Sequence, residues 1–226
     1  MSSAPTGLEG ETIPAAGFGR ELEEVQAAAS GVQRQSEPLI ESSPTGRFGV
    51  AVKTPEFSVT PGASANISLI VINQSQSSDG FRITVSGIPK TWLPAPPPLI
   101  ELPPGARQEI NLTVHPPRVA ESHAGTYRLH IQIISQIVFT ETVEVWAVLV
   151  VVPFSTFTSA LYPPRTGPHD PAQVVVRNTG NAPGSFMLTW SDSENRYEFR
   201  PAELQMNLGP GESAAAEFRV IPRRRR

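Results

Sequence analysis

The chain of 226 residues contains no cysteine, four histidines and few aromatic residues, which make up 7% of the sequence. Without cysteine there is no disulfide framework, no thiolate metal site and no cysteine nucleophile. His115, His123, His130 and His169 have no spacing that forces two of them together, so we expect each at the surface and predict no metal site and no cofactor. No Gly-x-Ser-x-Gly or His-Glu-x-x-His motif occurs, so the sequence nominates no catalytic residue and we predict no enzyme activity.

Long apolar runs are also missing. The longest spans 145–154, about half the ~20 residues of a membrane-spanning helix, and its β-branched residues indicate a buried strand. The N-terminus lacks a basic segment followed by an apolar one, so a cytoplasmic location is the default expectation. Membrane association is expected only if the sequence is a piece of an anchored protein.

The net charge is −3, and the basic residues are dispersed except at the C-terminus. There, Arg223, Arg224, Arg225 and Arg226 form a run that is a candidate contact for an anionic partner. Four arginines without interleaved aromatic residues do not indicate specific nucleic-acid binding. A solvated chain end is the simpler interpretation of this run.

An internal repeat is the most informative feature that the sequence does contain. Asn73, Phe81, Thr84 and Ser86 recur as Asn178, Phe186, Thr189 and Ser191, each pair 105 residues apart, and the Pro-Gly pair at 104–105 recurs at 210–211. A repeat of this length indicates a duplicated domain. What repeats is core and turn residues, so the pattern bears on architecture and not on chemistry.

The composition, with 24 prolines and 17 glycines, is typical of many short strands joined by turns. Apolar Tyr127, Leu129, Ile131 and Ile133 alternate with polar residues, as a strand with one wet face requires. We therefore predict an all-β fold of two tandem β-sandwiches. The domains are expected at 1–46 for a mostly disordered N-terminal arm, 47–153 for the first sandwich and 154–226 for the second. The predicted strands are 48–52, 55–60, 65–73, 81–87, 99–102, 107–114, 126–135 and 140–152, then 155–162, 172–178, 185–191, 197–200, 204–208 and 213–221.

The arm has one amphipathic segment, at 20–34, where Leu22, Val25 and Val32 fall at helix-compatible spacings. This pattern predicts a weak helix, which is interpreted either as a nascent helix in a linker or as a docking segment that folds on a partner protein. In the second interpretation the three apolar residues make the contact.

The second repeat ends early. The first continues past residue 117 with two more predicted strands, whereas the second has no counterpart of them. Three explanations stay open: the sequence is a fragment, the second copy is a shorter self-sufficient variant, or a partner supplies the strands by β-addition.

Two further surface features are candidates for binding. Trp146 shares a strand face with Glu144, Val148 and Val150 and is expected either to contact a partner or to be covered by the second domain. The loop at 191–195 is rich in oxygen ligands of the kind that Ca²⁺ accepts, although such loops more often cap a strand turn.

Several motifs recur in the order of a known type of domain. They are Ser58-Val-Thr-Pro-Gly62, Leu69-Ile-Val-Ile-Asn73, Leu102-Pro-Pro-Gly105, Val114-His-Pro-Pro-Arg118 and Ala124-Gly-Thr-Tyr127, with Val175-Val-Arg-Asn-Thr-Gly-Asn181 and Leu208-Gly-Pro-Gly211 in the second half. Over about residues 55–222 the chain thereby resembles bacterial tandem immunoglobulin-like repeats of the NEW3 and CARDB type, some of which are labelled hydrolytic proteins. The resemblance implies that both predicted sandwiches are immunoglobulin-like and serve as spacer, adhesive surface or assembly component, and it supplies no catalytic residue.

The sequence as a whole favours a non-catalytic structural and protein-binding scaffold, a rigid two-domain spacer within a larger assembly. Protein partners are expected at the arm or by β-addition to the second domain, and an oligomer is compatible with either. The alternative is an accessory domain pair that binds carbohydrate or a cell surface through exposed aromatic residues such as Trp146. A hydrolase, as the family label suggests, is a third class for which the sequence offers no residues.

Overall fold

The computed structural model describes residues 39–163 and 170–223, and within these ranges the chain consists almost entirely of β-strands and turns. It forms two tandem immunoglobulin-like β-sandwiches, so the predicted fold class is confirmed. The strands of the first are β1 (Ile40–Ser42), β2 (Phe48–Val52), β3 (Glu56–Val59), β4 (Ala65–Asn73), β5 (Asp79–Ser86), β6 (Leu99–Leu102), β7 (Arg107–Val114), β8 (Gly125–Ser135) and β9 (Thr142–Val151), with a 3₁₀ helix at Lys90–Trp92. Those of the second are β10 (Phe157–Tyr162), β11 (Pro171–Asn178), β12 (Gly184–Thr189), β13 (Tyr197–Arg200), β14 (Glu203–Leu208) and β15 (Ser213–Pro222).

The first sandwich packs a sheet of order β1-β2-β4-β7 against a sheet of order β3-β9-β8-β5-β6. All pairs are antiparallel except β3 with β9. On β8 the predicted alternation is present, because Leu129, Ile131 and Ile133 are fully buried while their neighbours Arg128 and Gln132 are not. The apolar side chains of both sheets meet in one continuous core.

The second sandwich has a sheet of order β10-β11-β15-β13 and a sheet of only two strands, β12 and β14. By sequence register, β11, β12, β14 and β15 are the counterparts of β4, β5, β6 and β7. By strand pairing, β10 is the counterpart of β2, because Phe157 lies opposite Asn178 as Phe48 lies opposite Asn73. Within the described residues, no strand of the second sandwich corresponds to β1, β3, β8 or β9. Its buried apolar residues are accordingly few, namely Ala172, Val176, Leu208, Ala216 and Phe218.

The fourteen predicted strands are all present, with ends that differ by at most two residues from the prediction. One further strand, β1, lies inside the segment predicted as a disordered arm ending at residue 46. The turn that follows it is closed by Ser43, whose Oγ accepts hydrogen bonds from the N–H groups of Arg47 and Phe48 at 3.0 and 3.3 Å. Three residues of mixed polarity carry no strand signal by themselves, so β1 depends on pairing with β2. The predicted helix at 20–34, with Leu22, Val25 and Val32, lies outside the described residues.

Candidate functional site

The loop that begins at each repeated asparagine has the same hydrogen bonds in both sandwiches. The Asn73 side-chain amide donates to the carbonyl oxygens of Ser77 and Leu102, and the Asn178 amide donates to those of Ala182 and Leu208, all at 2.8 to 3.0 Å. Beside each asparagine, the N–H of a glycine with positive φ, Gly105 or Gly211, donates to its backbone oxygen at 2.9 Å. The repeated residues therefore build one loop frame twice.

In the second sandwich this frame positions Asn181 at the junction of the two domains. The Asn181 side chain, which is 1% exposed, accepts a hydrogen bond from the N–H of Phe154 at 2.7 Å and donates to the carbonyl oxygens of Ser122 and Val152 at 2.8 and 3.2 Å. The backbone N–H of Ala124 donates to the Asn181 carbonyl oxygen at 2.9 Å. One buried side chain thus binds the first sandwich, the linker and the second sandwich together.

An aromatic contact accompanies this network. The guanidinium of Arg118, in the first sandwich, lies 4.4 Å from the ring centre of Phe154, which follows Pro153 in the linker. Proline restricts the linker backbone, and the cation–π contact holds the next residue against the first domain. We refer to Arg118, Ser122, Ala124, Phe154 and Asn181 as the interdomain joint.

A second candidate surface is the uncovered side of the second sandwich. The five residues from Phe48 to Val52 in β2 are buried or nearly so, whereas every residue of the corresponding β10 is exposed. Phe186 in β12 is only half-buried, although its counterpart Phe81 in β5 is fully buried. The difference arises because β8 lies beside β5 and β9 packs across from β2, and no described strand does so for β12 and β10.

A cleft of about 540 Å³ lies between the sheets on this side. Its apolar lining comprises Phe157, Val174, Val176, Phe186, Met187, Leu188 and Trp190. The indole of Trp190 stacks on buried Phe218 with ring centres 4.1 Å apart, and its buried Nε1 has no acceptor in the part of the chain that the structure describes. The cleft is a suitable place for apolar side chains and has no charged residue in its lining.

Trp146 lies on the outward face of β9 and is 46% exposed, so the second domain does not cover it, contrary to one of the two expectations from the sequence. Its ring contacts side chains of the neighbouring strand β8: the Arg128 guanidinium at 4.3 Å from the ring centre, and the stacked His130 ring at 4.4 Å. Because a guanidinium and an imidazole already contact this ring, less of the indole is open for a sugar ring to stack on.

The histidines are not brought together. His115 Nδ1 lies 3.1 Å from Ser64 Oγ, exposed His123 offers its backbone oxygen to the Tyr127 hydroxyl, and His130 Nε2 is 3.1 Å from Glu144 Oε2 without hydrogen-bond geometry. His169 lies outside the described residues. Across 39–163 and 170–223, no group of three or more histidine, aspartate or glutamate residues is arranged to hold a metal ion.

The loop at 191–195 is organised around Asp192. Its carboxylate accepts hydrogen bonds from the backbone N–H groups of Glu194, Arg196 and Tyr197, at 2.6 to 3.1 Å, and the bond from Glu194 contributes most to lowering the pKa of Asp192. This carboxylate therefore closes a turn, the simpler of the two interpretations of the loop.

Among the terminal arginines, the structure places one. The backbone N–H of Arg223 donates to the carbonyl oxygen of Arg196 at 2.8 Å, which continues the pairing of β15 with β13. Arg224, Arg225 and Arg226 lie outside the described residues, as do Leu22, Val25 and Val32. No helix within 39–163 and 170–223 has the length and hydropathy to cross a membrane.

Sequence reasoning missed the interdomain joint. It singled out Asn178 as a repeated residue but assigned Asn181 no role, and the first repeat has Gln76 at the position of Asn181. The available signal was that an asparagine, which has both a donor and an acceptor, stands in a tight loop three residues from another asparagine. Its partners are 27 to 59 residues away in sequence, so pattern alone does not reveal them.

No protein-family model matches the chain, and no curated protein matches it in sequence. Similar solved structures include a protein of unknown function from Porphyromonas gingivalis W83, with 17% identity, coverage of 78% of this chain and 84% of that one, and a TM-score of 0.37. The PapD-like domain 7 of human CEP192 has 12% identity, 54% and 96% coverage, and a TM-score of 0.36. The E. coli chaperone DraB has 14% identity, 77% and 87% coverage, and a TM-score of 0.30. At these values the similarities assign the chain to none of the named families.

Proposed function

We propose that this chain is a non-catalytic, protein-binding scaffold in which the two sandwiches act as one rigid spacer. The observation that carries the proposal is the interdomain joint. A flexible linker between domains has few contacts across it, whereas this one is crossed by buried hydrogen bonds from a single residue of the second domain.

Rigidity serves a spacer because binding surfaces at its two ends are then held at a fixed separation, without the entropy cost of ordering a linker. The uncovered side of the second sandwich supports the protein-binding part of the proposal, since exposed strand edges and apolar clefts are surfaces that other polypeptides occupy. The resemblance to tandem bacterial immunoglobulin-like repeats, which stays a prediction, is compatible with the same role.

The spacer is tested by measuring the distance distribution between two spin labels, one in each sandwich. Because the chain has no cysteine, labels attach only where cysteine is introduced. Glu101→Cys on β6 and Glu203→Cys on β14 are both exposed and lie on corresponding strands. A single narrow distribution is expected.

The Asn181→Ala variant should broaden this distribution, because the N–H of Phe154 and the carbonyl oxygens of Ser122 and Val152 lose their partner. Asn207→Ala, an exposed asparagine on β14, is the matched control and should leave it narrow. A broad distribution in the otherwise unaltered chain would contradict the proposal.

A further inference from the structure

The turn that joins β8 to β9 presents two large apolar side chains to solvent. Phe139 is 70% exposed and Ile137 is 56% exposed. Residues 136–140, which we call the apolar tip, have the sequence QIVFT, without charge and without the glycine, proline, asparagine or aspartate that are usual in turns. Single exposed apolar residues are common on protein surfaces, but two on one short turn indicate a contact outside the sandwich.

Buried polar groups of the first sandwich hold the apolar tip in place. Three successive N–H groups of the tip are hydrogen-bonded, Gln136 to the Gly80 carbonyl oxygen at 2.7 Å, Ile137 to the Asp79 carboxylate at 3.3 Å and Val138 to the Ser135 hydroxyl at 3.0 Å. Asp79 and Ser135 are themselves buried. Because these N–H groups already have acceptors, the tip can enter a poorly hydrated region without losing their hydrogen bonds to water.

The apolar tip and the interdomain joint lie at opposite ends of the first sandwich. The strand β8 begins at Gly125, next to Ala124 of the joint, and ends at Ser135, next to the tip. Its eleven residues span roughly 35 Å. The tip is therefore the far end of the first sandwich as seen from the second.

Neither end of the described chain leads to the tip. In β1, Ser42 lies opposite Gly49 and Ile40 lies opposite Ala51, so β1 runs towards the tip and residue 39 lies further from it. Residue 223 belongs to the second sandwich, beyond the joint. A segment from outside the described ranges would have to run back along the first sandwich to cover the tip.

The size of the patch distinguishes a lipid surface from a protein. At their exposures, Ile137 and Phe139 present roughly 250 Å² of side-chain surface, and two such tips facing each other would bury only about 500 Å². A stable protein interface needs roughly 1,000 Å² or more. A bilayer has no such threshold, because a small apolar group already gives weak and reversible binding to it. A lipid surface is therefore a better match than a protein partner or a second copy.

The charges at this end also suit a lipid surface. The neighbouring connections 74–78 and 103–106 are uncharged, and 43–47 contains only Arg47. The two acids next to these connections, Asp79 and Glu141, are buried. Insertion of the tip thus places no exposed carboxylate of these connections against the headgroups.

We propose that the apolar tip inserts Ile137 and Phe139 into the interfacial region of a lipid bilayer, so that the first sandwich contacts a membrane surface end-on. The insertion is shallow and reversible, because only two side chains enter. This inference goes beyond the proposed scaffold and does not depend on the interdomain joint.

The test is sedimentation of the full chain with phosphatidylcholine vesicles. Binding is expected, and Phe139→Asp should weaken it at least about tenfold, because a carboxylate opposes insertion. Leu99→Asp is the matched control on β6: Leu99 is 60% exposed but lies about 10 Å back from the end of that strand, so binding should change less than about twofold. Phe139→Ser gives the answer if Phe139→Asp does not fold. Absence of binding, or equal loss in the tip variant and the control, would overturn the proposal.

Fluorescence locates the inserted residue. In Phe139→Trp, vesicles of brominated phosphatidylcholine should quench the new tryptophan. The unaltered chain should show no quenching, because Trp92, Trp146 and Trp190 lie outside the tip. Binding without quenching of the new tryptophan, or quenching in the unaltered chain, would mean that another surface meets the lipid and would overturn the proposal.

Vesicles that also contain phosphatidylserine test attraction by charge alone. Because the tip is uncharged, their addition should change binding by less than about twofold. Binding that requires phosphatidylserine and survives Phe139→Asp would assign it to basic residues and overturn the proposal. The spin-label distance is measured on the same samples. A narrow distribution without vesicle binding rejects the lipid contact alone, whereas a broad one with binding rejects only the rigid spacer.

Discussion

The ring of Phe157 contacts that of Phe186 edge-on at 5.6 Å between ring centres, and in the first sandwich Phe48 contacts Phe81 in a tilted arrangement at 4.9 Å. Phe48 and Phe81 are 0% exposed, but Phe157 is 60% exposed. A corresponding aromatic pair therefore occurs in each sandwich, but only the pair in the first sandwich is covered. The strands β8 and β9 cover the pair in the first sandwich, and the effect of this burial on stability can be measured.

We expect Phe81→Ala to cost about 3–5 kcal/mol in free energy of unfolding, as for a fully buried phenylalanine. Phe186→Ala should cost less, roughly 1–2 kcal/mol, because its side chain is already partly hydrated. Urea denaturation, with hydrogen exchange read separately for residues 40–151 and 157–222, measures the two costs. Equal costs would mean that the second cleft is closed in solution.

The free edge of β12 predicts a specific exchange pattern. The strand β5 pairs with β6 at residues 79–82 and with β8 at residues 81–86, whereas β12 has a described partner strand on one side only. Alternate amides of β12 should therefore exchange much faster than their counterparts in β5. Amide exchange followed by NMR tests this, and uniform protection along 184–189 would contradict it.

Stability should depend on Glu141 at acidic pH. This carboxylate is 3% exposed, and a hydrogen bond from the Ser43 side chain is the main cause that lowers its pKa, with the N–H of Thr45 also donating at 3.3 Å. A lowered pKa in the folded state means that the stabilisation is present above the ordinary carboxyl value of 4.5 and is lost as pH falls through the lower, folded-state pKa.

The Glu141→Gln variant should thus be less stable than the unaltered chain at neutral pH. The difference in free energy of unfolding should shrink as pH falls below the ordinary carboxyl range. Denaturation at several pH values measures it, with Glu101→Gln on the exposed edge of β6 as the control. A difference that stays constant with pH would show that Glu141 acts through packing alone.

A variant of Trp146 distinguishes the proposed scaffold function from the carbohydrate-binding alternative. Because Arg128 and His130 contact its ring, we expect no retention of the chain on insoluble polysaccharides and no change in elution for Trp146→Ala. Affinity chromatography on such matrices is the measurement. Retention that is lost in Trp146→Ala and kept in Trp92→Phe, a buried tryptophan of the same domain, would favour the alternative.

Much of the fold could be predicted because its signals are local. Alternating apolar residues indicate strands, and a proline followed by a glycine with positive φ, as at Gly105 and Gly211, indicates turns. β1 was missed because three residues carry too little pattern, and the joint at Asn181 was missed because its partners are distant in sequence. Trp146 was identified as a surface residue, but its contacts with Arg128 and His130 depend on the pairing of β8 with β9.

The sequence by itself determined that the chain is all-β, and it predicted a duplicated domain, because side-chain periodicity and turn chemistry are properties of neighbouring residues. Only the tertiary structure decided which surfaces of the two sandwiches are covered. Burial depends on what packs from elsewhere in the chain, so identical residues such as Phe81 and Phe186 acquire different exposures. Tertiary packing also placed Asn181 in the interdomain joint, since a hydrogen bond requires its partners to be brought within about 3 Å.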